Sequence, residues 1–268
     1  MIPTRYAVFG QPIAHSLSPR IHAAFGAQLG IEVDYRAIEA SRDTFEATLS
    51  VFALAGGRGA NVTLPLKEDA FALCTQLSER ARRCRSVNTL VRDQDGWHGD
   101  STDGVGLLRD LDRHGLSPAG ARVLLLGAGG AARAAAFALA DLVGELVVAN
   151  RTPERASRLA GQLGARSCPL DAVHAEGSFD FVINASAAGH AESTFDIRPT
   201  LFAAAGAAYD LSYGHASRAF LAAARKAGAR FAVDGLGMLV EQAAESFALW
   251  HGRAPDTTPV HVMLRAEA

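Results

Sequence analysis

Apolar positions along this 268-residue chain switch repeatedly between short continuous runs and runs spaced every three or four residues. The first predict strands and the second predict helices. RYAVFG at 5–10 reads as a strand ending in glycine. LSPRIHAAFGAQLG at 17–30 reads as a helix, with Pro19 in its first turn and Gly30 as its stop. VDYRAI at 33–38 alternates as a strand does, and residues 42–55 predict a helix closed by Gly56 and Gly57. GANVTL at 59–64 predicts a third strand, followed by Pro65 and a helix over 67–74. Residues 86–92 and 96–99 predict a hairpin.

The pattern then changes character. A linking helix over 104–114 leads to RVLLL at 122–126, an unbroken apolar run of the kind buried on both faces of a parallel sheet. An Ala-rich helix (131–141), a strand (145–149), a helix (153–163), a strand (179–184), a strand (207–210) and a helix (216–227) follow. This βαβαβ series predicts a small Rossmann-like domain. A final helix over 236–251 carries Met238, Leu239, Ala243, Phe247 and Trp250 on an apolar face and is expected to return to the first domain. The expected division is an α/β substrate-binding domain over 1–103, a nucleotide-binding domain over 104–235 and a C-terminal helical segment over 236–268.

Composition narrows the function classes. A net charge of −2 supplies no basic surface for nucleic acid, and no apolar run is long enough to span a membrane. MIPTRYAVFG lacks the charged and apolar regions of a signal peptide, so the expected location is the cytoplasm. Cys74, Cys84 and Cys168 match no zinc spacing, nor do the nine histidines, so no metal is expected. A monomer and a homodimer stay equally open. Of 26 basic residues only Lys67 and Lys226 are lysines. In a chain that uses arginine wherever a positive charge suffices, a retained lysine suggests chemistry that needs a releasable proton.

Two groups of residues carry candidate chemistry. Gly127-Ala128-Gly129-Gly130-Ala131-Ala132 fits G-x-G-x-x-A between a strand and a helix, the context of a dinucleotide pyrophosphate site. The next strand leads into Asn150-Arg151-Thr152-Pro153-Glu154-Arg155, with arginine where an NAD enzyme usually carries a carboxylate. Arg151 and Arg155 suit a 2′-phosphate, which predicts NADP. In the first domain, Ser16 and Ser18 lie between a strand and a helix, where Ser18 would also serve as a helix cap. Asn61 and Thr63 sit two apart on a predicted strand and so share a face. With Lys67, Asn88 and Asp103 they form a set of donors and acceptors suited to a polyhydroxylated substrate.

These segments resemble one family, shikimate dehydrogenase. YAVFGQPIAHSLSP, GANVTLPLK, SVNTL, STDGVGLL, LLLGAGGAAR, NRTPER, YDLSYG and DGLGMLVEQAA carry the resemblance in order along nearly the whole chain. It implies reduction of 3-dehydroshikimate to shikimate with NADPH, in aromatic amino-acid biosynthesis. It also implies that Ser16 and Ser18 hold the substrate carboxylate, and that Asn61, Thr63, Asn88 and Asp103 hold its hydroxyls. Lys67 would be catalytic with Asp103, and Tyr213 and Gln242 would close the substrate pocket. Gly127 to Ala131, Asn150 to Arg155, Leu211 and Gly235 would line the NADP site, with Glu79 near the nicotinamide end. Two segments depart from the family pattern: Ser101 stands where asparagine is usual, and Asn184-Ala185-Ser186-Ala187-Ala188-Gly189 replaces an NATSxG-like turn. Both bear on fine specificity more than on reaction type. Other readings on the same scaffold are a quinate or amino-shikimate dehydrogenase, and from another class a ligand-sensing regulator without catalysis.

Overall fold

The structure, a computed structural model, describes residues 4–186 and 197–266. They divide into two compact units, Met1–Gly106 with Leu239–Ala268, and Leu107–Met238.

The first unit holds a six-stranded mixed sheet. Its strands are β1 (Thr4–Gly10), β2 (Val33–Glu39), β3 (Gly57–Val62), β4 (Gln76–Leu77), β5 (Thr89–Arg92) and β6 (Trp97–Asp100), in the order β2-β1-β3-β5-β6-β4. β1 is parallel to β2 and β3, whereas β5 is antiparallel to β3 and β6. Helices α1 (Ser18–Leu29), α2 (Phe45–Leu54), α3 (Lys67–Leu73) and α4 (Glu79–Cys84) connect the strands.

The alternation within β1 explains its burial on both faces. Ala7 and Phe9 enter a core with Phe45, Leu49 and Phe52, while Tyr6 and Val8 pack with Ile13 and Tyr35 on the other side. Phe9 meets Phe45 and Phe52 edge-on, with ring centroids 5.8 and 5.5 Å apart. A ring buried in this way contributes roughly 1.5–3 kcal/mol.

The second unit is an all-parallel sheet of β7 (Arg122–Leu126), β8 (Glu145–Asn150), β9 (Arg166–Pro169), β10 (Phe179–Asn184), β11 (Phe202–Asp210) and β12 (Phe231–Val233). The order β12-β11-β10-β7-β8-β9 is the doubly wound arrangement, with its direction of winding reversing between β7 and β10. β7 explains why RVLLL is continuously apolar. Val123 and Leu125 face one core, with Ala132 and Val148, while Leu124 and Leu126 face the other, with Val182 and Phe220. Helices α5 (Asp103–Arg113), α6 (Gly130–Leu139), α7 (Pro153–Leu163) and α8 (His215–Lys226) accompany this part of the chain. α9 (Leu236–His251) begins in the second unit and continues in the first, where α10 (Thr258–Arg265) ends the described chain.

Several expectations need correction. The third strand stops at Val62, because Thr63 starts a turn through Leu64 and Pro65 that closes with Leu66 N–H donating to Thr63 O at 2.9 Å. The shared strand face expected for Asn61 and Thr63 therefore does not follow from alternation. Ser18 is not a cap: Leu17 occupies the cap position of α1, and no side chain caps that helix. Short elements escaped the periodicity, namely β4, α4, β9, β12 and α10. The Ala187, Ala188 and Gly189 departure lies outside the described residues.

Candidate active site

In the first unit, three loops follow the carboxyl ends of strands. β1 leads to Ser16 and Ser18, β3 to Thr63 and Lys67, and β6 to Asp103. Asn88 immediately precedes antiparallel β5, which brings it to the same end of the sheet. Its backbone is fastened on both sides, because Val62 N–H donates to Asn88 O at 2.8 Å and Asn88 N–H donates to Asp100 O at 3.0 Å.

Lys67 Nζ donates to Asp103 Oδ2 at 2.5 Å, with side-chain exposures of 13% and 6%. The other carboxylate oxygen accepts from Asn88 Nδ2 at 2.9 Å. Asp103 opens α5, where the unpaired amides of the first turn favour a negative charge. Asn88 Nδ2 also donates to Gln242 Oε1 of α9 at 3.0 Å, while Gln242 Nε2 donates to Leu239 O at 2.9 Å. Asn61 is buried, and its Nδ2 lies within 3.0–3.2 Å of Asn88 O, Thr89 Oγ1 and Ser246 Oγ. Ser16 Oγ accepts from Ser18 N–H at 3.3 Å, and Ser18 itself is buried. Thr63 is half-buried, with its N–H donating to Phe9 O at 2.8 Å.

Buried hydroxyls hold this group together and went unnoticed in the sequence. Thr102 N–H donates to Asn88 Oδ1 at 2.7 Å, and its hydroxyl lies 2.8 Å from Asn88 Nδ2. Thr89 Oγ1 lies 2.8 Å from Ser246 Oγ, whose proton goes to Gln242 O at 3.0 Å. The adjacency of Thr102 to Asp103 and the four-residue spacing of Gln242 and Ser246 were the available signals. Below this cluster Arg80 grips both oxygens of Asp100 at 2.6 and 2.7 Å. Those bonds and the Ser78 hydroxyl outweigh burial and hold the Asp100 carboxyl below its ordinary range. Ser101 is buried, and its hydroxyl has no hydrogen-bond partner among the described residues.

The second unit carries the glycine turn between β7 and α6. Gly127 has φ +120°, and a Cβ there would lie 2.8 Å from Ala185 O, so only glycine fits. Gly129 occupies the cap position of α6, and the space a Cβ would take is open, so a ligand can approach the backbone there. Gly130 and Ala131 begin α6, while Ala128 is buried. Asn150 ends β8, and its Nδ2 donates to Thr152 O at 3.0 Å. Arg151, Thr152 and Arg155 are exposed around the start of α7, and no carboxylate among the described residues engages either guanidinium. A Cβ at Gly235 would sit 2.2 Å from Leu211 O, so this glycine permits the close passage of two backbones. Asn184 Nδ2 donates to Asp210 Oδ2 at 2.9 Å, joining the ends of β10 and β11. Burial pushes the Asp210 carboxyl up to about 6, against the lowering effect of Asn184 and Ser212. Tyr213 follows β11 in this unit. Glu79 is exposed at the start of α4 in the first unit, whereas the glycine turn belongs to the second.

A doubly wound sheet with a glycine turn after its first strand, carried with a second α/β unit, is the architecture of a two-domain dinucleotide-binding protein. Residues 8–90 match the shikimate dehydrogenase substrate binding domain, 112–194 match shikimate / quinate 5-dehydrogenase, and 235–266 match the shikimate 5'-dehydrogenase C-terminal domain. A shikimate dehydrogenase (NADP(+)) of Xanthomonas campestris pv. campestris is 56% identical over 98% of this chain and 96% of its own. A crystal structure of an Ael1 enzyme from Pseudomonas putida has a TM-score of 0.85 at 42% identity, covering 96% of both chains. The shikimate 5-dehydrogenase of Thermus thermophilus, in complex with NADP(H) and shikimate, has a TM-score of 0.81 at 36% identity, covering 95% of this chain and 96% of that one. The chain belongs to the shikimate dehydrogenase family.

Proposed function

We propose that the chain catalyses the reversible NADPH-dependent reduction of 3-dehydroshikimate to shikimate, a step of aromatic amino-acid biosynthesis. The observation that carries this reading is the Lys67–Asp103 pair, an amine and a carboxylate held 2.5 Å apart at the carboxyl end of the first sheet. The residues of the second unit fit the cofactor. Gly129, at the cap position of α6, leaves open space over the helix start, and Arg151 and Arg155 offer guanidinium groups for a 2′-phosphate. Asn150, Thr152, Leu211 and Gly235 complete this proposed NADP set.

When bound, NADPH supplies the hydride. Lys67 stabilises the negative charge that grows on the carbonyl oxygen and gives that oxygen its proton; in the oxidation direction, neutral Lys67 takes the proton from the alcohol. Asp103 orients the amine through Oδ2 and is itself fixed through Oδ1 by Asn88. Ser16 and Ser18 bind the substrate carboxylate, while Asn61, Thr63, Asn88 and Gln242 bind its hydroxyls.

The deciding experiment is a panel of shikimate and quinate, each with NADP and with NAD, followed through NADPH or NADH absorbance. The reading requires shikimate with NADP to give the highest kcat/KM. Preference for quinate would move the chain to the quinate branch, and no turnover with any pair would leave ligand sensing.

A further inference from the structure

Tyr35 lies on β2 and belongs to none of the motifs that mark the site. Its ring stacks on His22 of α1, with centroids 4.3 Å apart and planes 9° apart. Trp250 of α9 packs against it at 6.2 Å and 45°. These contacts leave the ring little freedom, and they aim its hydroxyl at the site. That hydroxyl donates to Asn61 Oδ1 at 2.7 Å. The phenol on β2 thus holds a side chain of the proposed substrate set on β3.

The direction of this bond is fixed by a neighbour. Asn88 O can only accept, so it takes Asn61 Nδ2 at 3.1 Å and turns Oδ1 toward Tyr35, whose hydroxyl must then donate. Thr89 Oγ1 and Ser246 Oγ lie 3.2 and 3.0 Å from the same nitrogen. Burial holds the Tyr35 pKa well above its ordinary 10, so the phenol keeps its proton at any working pH. The neighbouring His22 stays neutral, its pKa lowered to about 3 by burial. No charge on that ring competes for the phenol.

We propose that Tyr35 is a positioning residue for substrate binding, its hydroxyl donating to Asn61 Oδ1 and so holding in place the amide proposed to meet the substrate. This inference rests on the shikimate reading given above. Tyr35 touches neither Lys67 nor Asp103 directly, and Asn88 and Thr102 hold that pair independently. Loss of the hydroxyl should therefore weaken substrate binding and leave the proton transfer largely intact.

The test is steady-state kinetics of the full chain with shikimate and NADP, comparing wild type, Tyr35→Phe, Asn61→Ala and the double variant. Phenylalanine keeps the stacked ring and removes one oxygen. A buried hydrogen-bond network of this size corresponds to a rise of about tenfold in the KM for shikimate, with kcat within about threefold and the KM for NADP unchanged. The double variant should bind no worse than Asn61→Ala by more than about twofold, because both changes act through one contact. A folded Tyr35→Phe protein with an unaltered KM for shikimate overturns the proposal, as does a double variant whose effects multiply. A Tyr35→Phe chain that fails to fold assigns the residue to stability alone and overturns it too. An inactive wild type removes the shikimate reading itself, whereas an active wild type with a normal Tyr35→Phe variant removes only the role of Tyr35.

Discussion

Replacing Lys67 by alanine tests the proposed chemistry most directly. In the proposed mechanism its amine serves two ends in the reduction direction, stabilising the growing alkoxide and delivering the proton. General acid–base catalysis is worth roughly 10²–10⁴ in rate, and removing one oxyanion donor costs about 10²–10³. Both effects reside in one group, so they overlap and do not multiply. The expected loss in kcat is about 10³–10⁴, or roughly 4–5 kcal/mol at 1.36 kcal/mol per tenfold. KM should move by less than about fivefold, because the amine acts most strongly in the transition state. Stability should suffer less than the rate. Breaking a fully buried ion pair costs about 3–5 kcal/mol, but Asp103 keeps its bond from Asn88 and Lys67 is 13% exposed, so about 1–3 kcal/mol is expected. Lys67→Arg separates charge from proton handling: it retains a cation opposite Asp103 and cannot release a proton near neutrality. The assay is shikimate oxidation by NADP, with circular dichroism to establish folding. A folded Lys67→Ala enzyme keeping more than about a tenth of wild-type kcat would refute the assignment, since acid–base help is worth at least about a hundredfold. Full activity in Lys67→Arg would show that charge alone suffices.

Three further outcomes follow from the second unit. Arg151→Asp should lower the NADP/NAD ratio of kcat/KM by at least about tenfold, since it replaces a proposed phosphate partner with a repelling carboxylate; an unchanged ratio removes Arg151 from the proposed cofactor site. Gly235→Ala should weaken NADP binding and lower the thermal midpoint, because its Cβ would meet Leu211 O at 2.2 Å; calorimetry with and without NADP reads both, and wild-type values would disprove the close passage. Asp210 should make stability depend on pH. Its folded pKa of about 6 lies above the unfolded value of 3.8, so the folded state holds the proton more tightly and stability falls as pH rises from about 4 to 6. The shift corresponds to roughly 2–3 kcal/mol, lost on deprotonation. Thermal midpoints of wild type and Asp210→Asn should therefore differ by an amount that changes across that window, and a constant difference would contradict the sign.

Local constraints made the second unit legible in the sequence. RVLLL is apolar throughout because β7 is the central strand, covered on both faces, and Gly127 is glycine because its φ and its contact with Ala185 exclude anything else. Each residue type reports a demand imposed within a few positions of itself. Short elements gave no such signal: β4 has two residues and β12 three, too few for any period to register. Thr63 was misplaced for the opposite reason. The apolar alternation of GANVTL runs on past the point where the Pro65 turn ends the ladder, so pattern outlasted structure.

The candidate active-site cluster was legible as a set of residue types and not as an arrangement. Lys67 stood out as one of two lysines, yet nothing near it in sequence pointed to Asp103, 36 positions away. The antiparallel register of β3, β5 and β6 joins them, through the backbone bonds on either side of Asn88. Once that register is set, donor and acceptor rules fix the rest. Thr102 N–H can only donate, so Asn88 must present Oδ1 to it, and Nδ2 must then face Asp103 and Gln242. Gln242 must in turn accept through Oε1, which turns its Nε2 toward Leu239 O and leaves that nitrogen one further hydrogen for a ligand. A single backbone amide thus determines how two side-chain amides and one carboxylate are oriented. That dependence is why Thr102, an ordinary residue in the sequence, matters to the arrangement of the candidate site.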